Sequence, residues 1–185
     1  PFFLEGIDIF STQIAAVHTR AIIDPDAAVK LTGKTGRNTF GLLLASDNGP
    51  GNFSADERTT ILSSAEDSRN RYLDQNAPIG ILRLKRDIGT SDSFIGFLGT
   101  YYRFVDRYNK LGGFDGRFRI NKQSTFSWQV LGTRTRRLHF FPEEGIVKDT
   151  PQNGFIYAIK YYPAGATTHS EYGVTDLRTV YPVLG

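Results

Sequence analysis

The sequence predicts an all-β chain: an antiparallel up-and-down meander forming part of a transmembrane β-barrel, with one short helix in a long loop. Three observations lead there. Polarity alternates with a period of two over stretches of about 9 to 13 residues, the length of a tilted membrane-crossing strand, where globular strands run about 5 to 6. The connections sort by length, short at one end of the meander and long at the other, as in bacterial outer-membrane barrels. The aromatic residues gather near the short-turn end.

The alternation is plainest in GGFDGRFRINKQSTFSWQVLG, residues 112–132, where Phe114, Gly116, Phe118 and Ile120 interleave with Asp115, Arg117, Arg119 and Asn121. Successive Cβ atoms of a strand point to opposite sides, so one face is aromatic and the other ionic. After the Asn121-Lys122-Gln123 turn, Phe126, Trp128 and Val130 continue one face and Thr125, Ser127, Gln129 and Thr133 the other. The same period places strands near 14–22, 27–35, 38–46, 78–88, 93–105, 112–121, 124–136, 153–163 and 167–176. In IGILRLKRD and FIGFLGTYYRFV apolar residues fill both faces, and the sidedness stays open.

Connections at 34–38, 89–92, 121–123 and 164–166 are short and carry the Gly, Asn and Asp that hairpin turns require. Those at 23–27, 46–78, 106–112 and 136–153 are longer and fall at the opposite end. Within the longest, SADE at Ser54 to Glu57 has the form of a capping box, which predicts a short helix over 55–66. Residues 1–13 read as a periplasmic lead-in, and 47–77 as the long loop with its helix.

Phe40, Phe94, Phe118, Phe126, Trp128 and Tyr161 lie within a few residues of the short-turn end, as an aromatic girdle at a membrane interface does. In hydrocarbon every backbone N–H and C=O needs an internal partner, so a strand persists there only within a closed sheet. The side turned to lipid is then apolar: Phe40, Leu42, Leu44, Phe118, Ile120, Phe126, Trp128 and Val130 are the candidate lipid-facing residues. Lys30, Lys34, Arg83, Lys85, Asp115, Arg117, Arg119 and Gln129 are the candidate lumen-facing ones, because an Arg or Lys at the lipid midplane costs about 2 to 4 kcal/mol.

Composition narrows the function classes. No run of eighteen apolar residues exists, so a transmembrane helix is excluded, while a barrel is not. There is no Cys for a disulfide or thiolate metal site, and a net charge of +3 with dispersed Lys and Arg does not imply nucleic acid. The first residues, PFFLEGIDIF, lack the features of a targeting signal, so the chain is expected to begin in mid-protein.

Catalytic chemistry finds little support. Asp24 with Asp26 and Glu143 with Glu144 are the carboxylate pairs that glycosidase chemistry would need, and both sit in expected loops where solvated acids are the ordinary case. His18, His139 and His169 are scattered without metal-ligand spacing, so no metal or cofactor is expected. Thr167-Thr168-His169-Ser170 lacks a nucleophile elbow, and GKTGRNT lacks phosphate-loop spacing and joins two strands.

Several strings together carry a resemblance: PFFLEG with Phe10, the strand end His18-Thr19-Arg20, AAVKLTGKTGRNTFGLLLA, LRLKRDIG, and N-x-x-G-G-F-D-G from Asn109 to Gly116. The chain resembles the C-terminal β-barrel portion of a family of large bacterial outer-membrane proteins of unknown function whose upstream region carries a carbohydrate-binding domain similar to family-nine modules. The resemblance implies a fragment of a longer chain, with further strands after VYPVLG, and supplies no catalytic residues; the 46–78 insertion departs from the shorter connection it leads one to expect. The expectation is therefore an outer-membrane barrel segment acting as anchor and passage in a carbohydrate-handling envelope protein, with membrane lipid, a polar solute or carbohydrate, and the rest of the parent chain as partners. Two other readings remain open here: a soluble β-barrel or sandwich binding a small ligand, and a surface glycoside hydrolase.

Overall fold

The computed structural model describes residues 7–17, 22, 24–51, 72–89, 92–141, 145–162 and 170–172. Among the described residues ten strands follow one another: β1 (Pro25–Thr35), β2 (Asn38–Asp47), β3 (Ala77–Ile88), β4 (Ser93–Phe104), β5 (Arg107–Arg119), β6 (Thr125–Arg136), β7 (Leu138–Phe141), β8 (Gly145–Lys148), β9 (Gln152–Tyr162) and β10 (Ser170–Tyr172). Eight form one antiparallel sheet in the order β1-β2-β3-β4-β5-β6-β9-β10, and β7 with β8 makes a separate two-stranded ribbon. The all-β antiparallel meander expected from the periodicity is present. Among the described residues β1 and β10 do not pair with each other, so this sheet is open.

Local chemistry sets the turns. Gly36, at φ +58°, takes the first position of the two-residue β1–β2 turn, where a Cβ would be strained. Between β5 and β6, Asn121 Oδ1 accepts hydrogen bonds from the backbone N–H of Gln123 and Ser124 at 2.9 and 2.8 Å, and Ile120 N–H donates to the Ser124 carbonyl at 3.0 Å. The Asn side chain thus closes the hairpin itself.

Three expectations are corrected. Residues 14–17 form no strand; Ile14 N–H donates to the Gln129 side chain at 2.6 Å instead of joining a ladder, and the remainder of 14–22 lies outside the described residues except Ile22. The loop expected at 106–112 is a two-residue turn, with β5 starting at Arg107. Its Val105 sits at φ +49°, a conformation that costs a β-branched residue energy. It is held by packing of Val105 on the core, by Arg103 Nε donating to its carbonyl at 3.1 Å, and by Tyr72 Oη donating to Asp106 at 2.7 Å. Third, the loop expected at 136–153 contains the β7–β8 ribbon. Residues 7–13, within the expected lead-in, lie against the sheet. Ile7–Phe10 is a 3-10 turn whose Phe10, 2% exposed, packs on β2, where Gly41 leaves the room: a Cβ there would meet the Phe10 ring at 3.0 Å. The helix expected over 55–66 lies outside the described residues.

The strict alternation divides the sheet into a covered face and an open face. The covered face carries the core: Leu43, Ala45, Ala77, Ile79, Ile81, Leu98, Tyr102, Phe104, Leu111, Leu131 and Ile156, with Phe10, Ala16 and Tyr72 packed over it. The register settles the two strands whose sidedness the sequence left open. Ile79, Ile81, Arg83, Lys85 and Asp87 of β3 pair through to Leu98, Thr100 and Tyr102 of β4 on the covered face. Leu82 and Leu84 with Ile95 and Tyr101 lie on the open one, each more than a third exposed.

Candidate functional site

Two features demand explanation: ionic groups inside the covered face, and a wide apolar open face. The first centres on Arg83 of β3 and Asp115 of β5, whose side chains are 2% and 7% exposed. Arg83 Nη2 donates to Asp115 Oδ2 at 2.7 Å and Nη1 to Oδ1, a bidentate pair. Gly96 of the intervening β4 makes the pair sterically feasible, because a Cβ there would stand 2.7 Å from Arg83 Nη1 and 2.8 Å from Asp115 Oδ1. Two charges taken from water this far are tolerated only when they satisfy each other.

Gln129, fully buried, is cross-strand neighbour to Asp115 and holds the N-terminal segment through Ile14. Asn109 Nδ2 donates to Thr135 Oγ1 at 3.1 Å further along the same face. A cavity of about 510 Å³ opens beside Asp115, walled by Ser11, Gln13, Arg117, Thr125 and Ser127 among others. Gln129 Nε2 and Arg83 Nε have no protein partner among the described residues. At the short-turn end a second cavity of about 460 Å³ is lined by Lys34, Arg37, Lys85, Asp87, Asp92 and Arg117.

The register shows where the candidate residues lie. Lys34, Lys85, Asp115 and Gln129 fall in one cross-strand row through Thr39 and Gly96. Arg83, Lys30, Arg117 and Arg119 fall in other rows of the same covered face, with Arg117 and Arg119 exposed at its short-turn end. Phe40, Leu42, Leu44, Phe118, Phe126, Trp128 and Val130 fall on the open face, as does Ile120 just beyond β5. Phe94 departs from the girdle: it pairs with Arg117 and Asp87 on the covered side, under the Lys85 ammonium at 4.2 Å.

The open face has an order that the sequence did not reveal. Leu31, Leu42, Leu82, Leu84, Ile95, Phe97, Phe114, Val130 and Ile159 make a continuous apolar field across β1 to β9, with Phe97 and Phe114 rings 5.3 Å apart. Toward the long-loop end it gives way to Tyr101, Arg103, Tyr108, Lys110 and Arg134, where Lys110 Nζ stands 5.5 Å from both tyrosine ring centres. From Gly112 to Ile120 the apolar stretch of β5 is about 26 Å long, or about 20 Å along the normal at a tilt of about 40°.

Of the acids considered for hydrolysis, Asp24 and Asp26 lie among the described residues. Asp26 accepts from Asn76 Nδ2, and Asp24 N–H donates to Asp47 Oδ1 at 2.8 Å; Glu143, Glu144, His18 and His169 lie outside the described residues. Among the described residues no cluster of His, Asp or Glu could hold a metal ion, and no helix is long and apolar enough to cross a membrane.

Comparison with known proteins yields short local likenesses. The chain is 51% identical to the dihydroorotase of Cupriavidus taiwanensis over 43 residues, 23% of this chain and 12% of that enzyme. It is 54% identical to that of Nitrosococcus oceani over 43 residues, with the same shares, and 59% identical to that of Cupriavidus necator over 32 residues, 17% of this chain and 9% of the enzyme. The chain thus spans about an eighth or less of the length of these relatives. No family model and no solved structure matches it.

Proposed function

We propose that this chain is a membrane-embedded segment of a bacterial outer-membrane β-barrel, serving chiefly as an anchor. The observation that carries the reading is the open face. Leu31, Leu44, Leu84, Ile95, Phe114 and Phe155 are between 43% and 58% exposed on a sheet whose other face buries an Arg–Asp pair and a Gln. Contiguous exposed apolar patches of this breadth mark membrane or protein contacts. The band of about 20 Å between an aromatic row and a Tyr, Lys and Arg row is close to the roughly 25 Å apolar belt of outer-membrane barrels.

The lumen side is the covered face, where Lys30, Lys34, Arg83, Lys85, Asp115, Arg117, Arg119 and Gln129 meet water or one another. Residues 7–17 pack across it. Anchoring therefore fits better than an open pore, with polar solute admitted to the two cavities. The edge of β1, unpaired among the described residues, needs a partner in hydrocarbon, which further strands of a parent chain supply. The resemblance to envelope proteins bearing a carbohydrate-binding domain supports that setting. The dihydroorotase likeness covers 43 residues, below the roughly 50 at which domains begin, and does not bring that enzyme's activity to this chain.

Refolded in the presence of lipid vesicles, the full chain is expected to float with them and to migrate faster on a gel when unheated than after boiling. Recovery in the soluble fraction, with no heat-dependent migration, contradicts the reading.

A further inference from the structure

The cavity at the short-turn end has a charge composition that structure alone does not require. Its walls bring Lys34 from β1, Arg37 from the β1–β2 turn, Lys85 and Asp87 from β3, Asp92 beside β4 and Arg117 from β5. Four cationic side chains face two carboxylates, an excess of two positive charges. The carboxylates are already engaged. Asp87 accepts from Lys34 Nζ at 2.8 Å and has Lys85 Nζ at 3.9 Å, while Asp92 is taken by Arg119 from outside the cavity at 3.0 Å.

Arg37 and Arg117 have no carboxylate partner among the described residues, and both are exposed toward solvent. A guanidinium offers a planar fork of donors that fits a tetrahedral oxyanion two bonds at a time, whereas an ammonium supplies a point charge. Here two guanidiniums and two ammoniums border about 460 Å³, a space suited to an anionic head group and part of its body. Arg117 and Phe94 also line the neighbouring cavity of about 510 Å³, whose Ser11, Thr12, Thr125 and Ser127 present hydroxyls.

We infer that the short-turn cavity binds the phosphoryl group of a small polar solute, with Arg37 and Arg117 as its principal donors and Lys34 and Lys85 supplying field. The solute's hydroxylated remainder extends past Phe94 into the adjoining cavity. Asp87, which stands between the Lys34 and Lys85 ammoniums, opposes the ligand charge and so tunes affinity. The inference stands on the arrangement of side chains and not on the bilayer. A soluble protein with this cavity would pass the binding test below and fail the flotation test above, so the two can fail separately.

Calorimetric titration of the folded full chain with glucose 6-phosphate, inorganic phosphate and glucose tests it. Saturable binding is expected for both phosphates and none for glucose. Arg37→Gln and Arg117→Gln should each weaken glucose 6-phosphate about tenfold, the scale of one lost charge-assisted contact. Arg86→Gln, on the open face of β3, should leave it unchanged. Asp87→Asn should tighten binding, a gain that a misfolded variant could not produce. Absence of saturable phosphate binding overturns the inference, as does binding of equal strength in the Arg37→Gln/Arg117→Gln double variant.

Discussion

Replacing Asp115 with alanine is expected to destabilise the folded chain by about 3 to 5 kcal/mol, because it strands the Arg83 guanidinium in a site only 2% exposed. Arg83 is cross-strand neighbour to the buried Leu98, and its Nε already lacks a protein partner among the described residues. The paired change Arg83→Met with Asp115→Leu removes both desolvation costs, so it should recover most of the loss. Urea unfolding in a fixed lipid or detergent, followed by β-sheet circular dichroism, measures all three chains. A single Asp115→Ala loss below about 1 kcal/mol, the level of an exposed pair, would show that the pair is solvated.

Phe114→Arg is the second large effect. Phe114 is 58% exposed at the middle of the apolar field, between Phe97 and Val130 on its neighbouring strands. In a bilayer the substitution should cost about 2 to 4 kcal/mol, and Leu82→Arg a similar amount. In water the same changes at exposed positions fall within about 0.5 kcal/mol and improve solubility. Folding into vesicles at increasing urea separates these outcomes. Lys110→Arg, in the basic row, serves as the neutral control.

Much of the sheet could be read from the residues because its information is local. A period of two survives wherever one face is apolar and the other ionic, as in β5 and β6, and Gly36 and Asn121 announce their turns by chemistry. The β4–β5 turn was missed because Val105-Asp106 contains neither Gly nor Asn. Its positive φ is imposed from a distance, by Tyr72 on Asp106 and by core packing of Val105. That turn also breaks the length sorting on which the membrane expectation partly rested, since a two-residue connection stands at the long-loop end.

Residues 14–17 read as the start of a strand over 14–22 by alternation alone. The partner of Ile14 N–H is a side chain, Gln129, more than a hundred residues away, and no local pattern encodes that. The β7–β8 ribbon has arms of four residues, too short to display a period. The bidentate Arg83–Asp115 pair was legible only as two polar residues on one face; that they touch depends on Gly96 lying between them. The cationic cavity collects residues from two turns and four strands, which only the register brings together.

The chain's one tryptophan, Trp128, stands on the open face, where it reports the medium that touches the sheet. Its fluorescence in vesicles of lipids brominated along the acyl chain measures the contact directly. The account predicts a blue-shifted emission strongly quenched by the bromines and insensitive to aqueous iodide. Emission quenched by iodide and indifferent to brominated chains would contradict it.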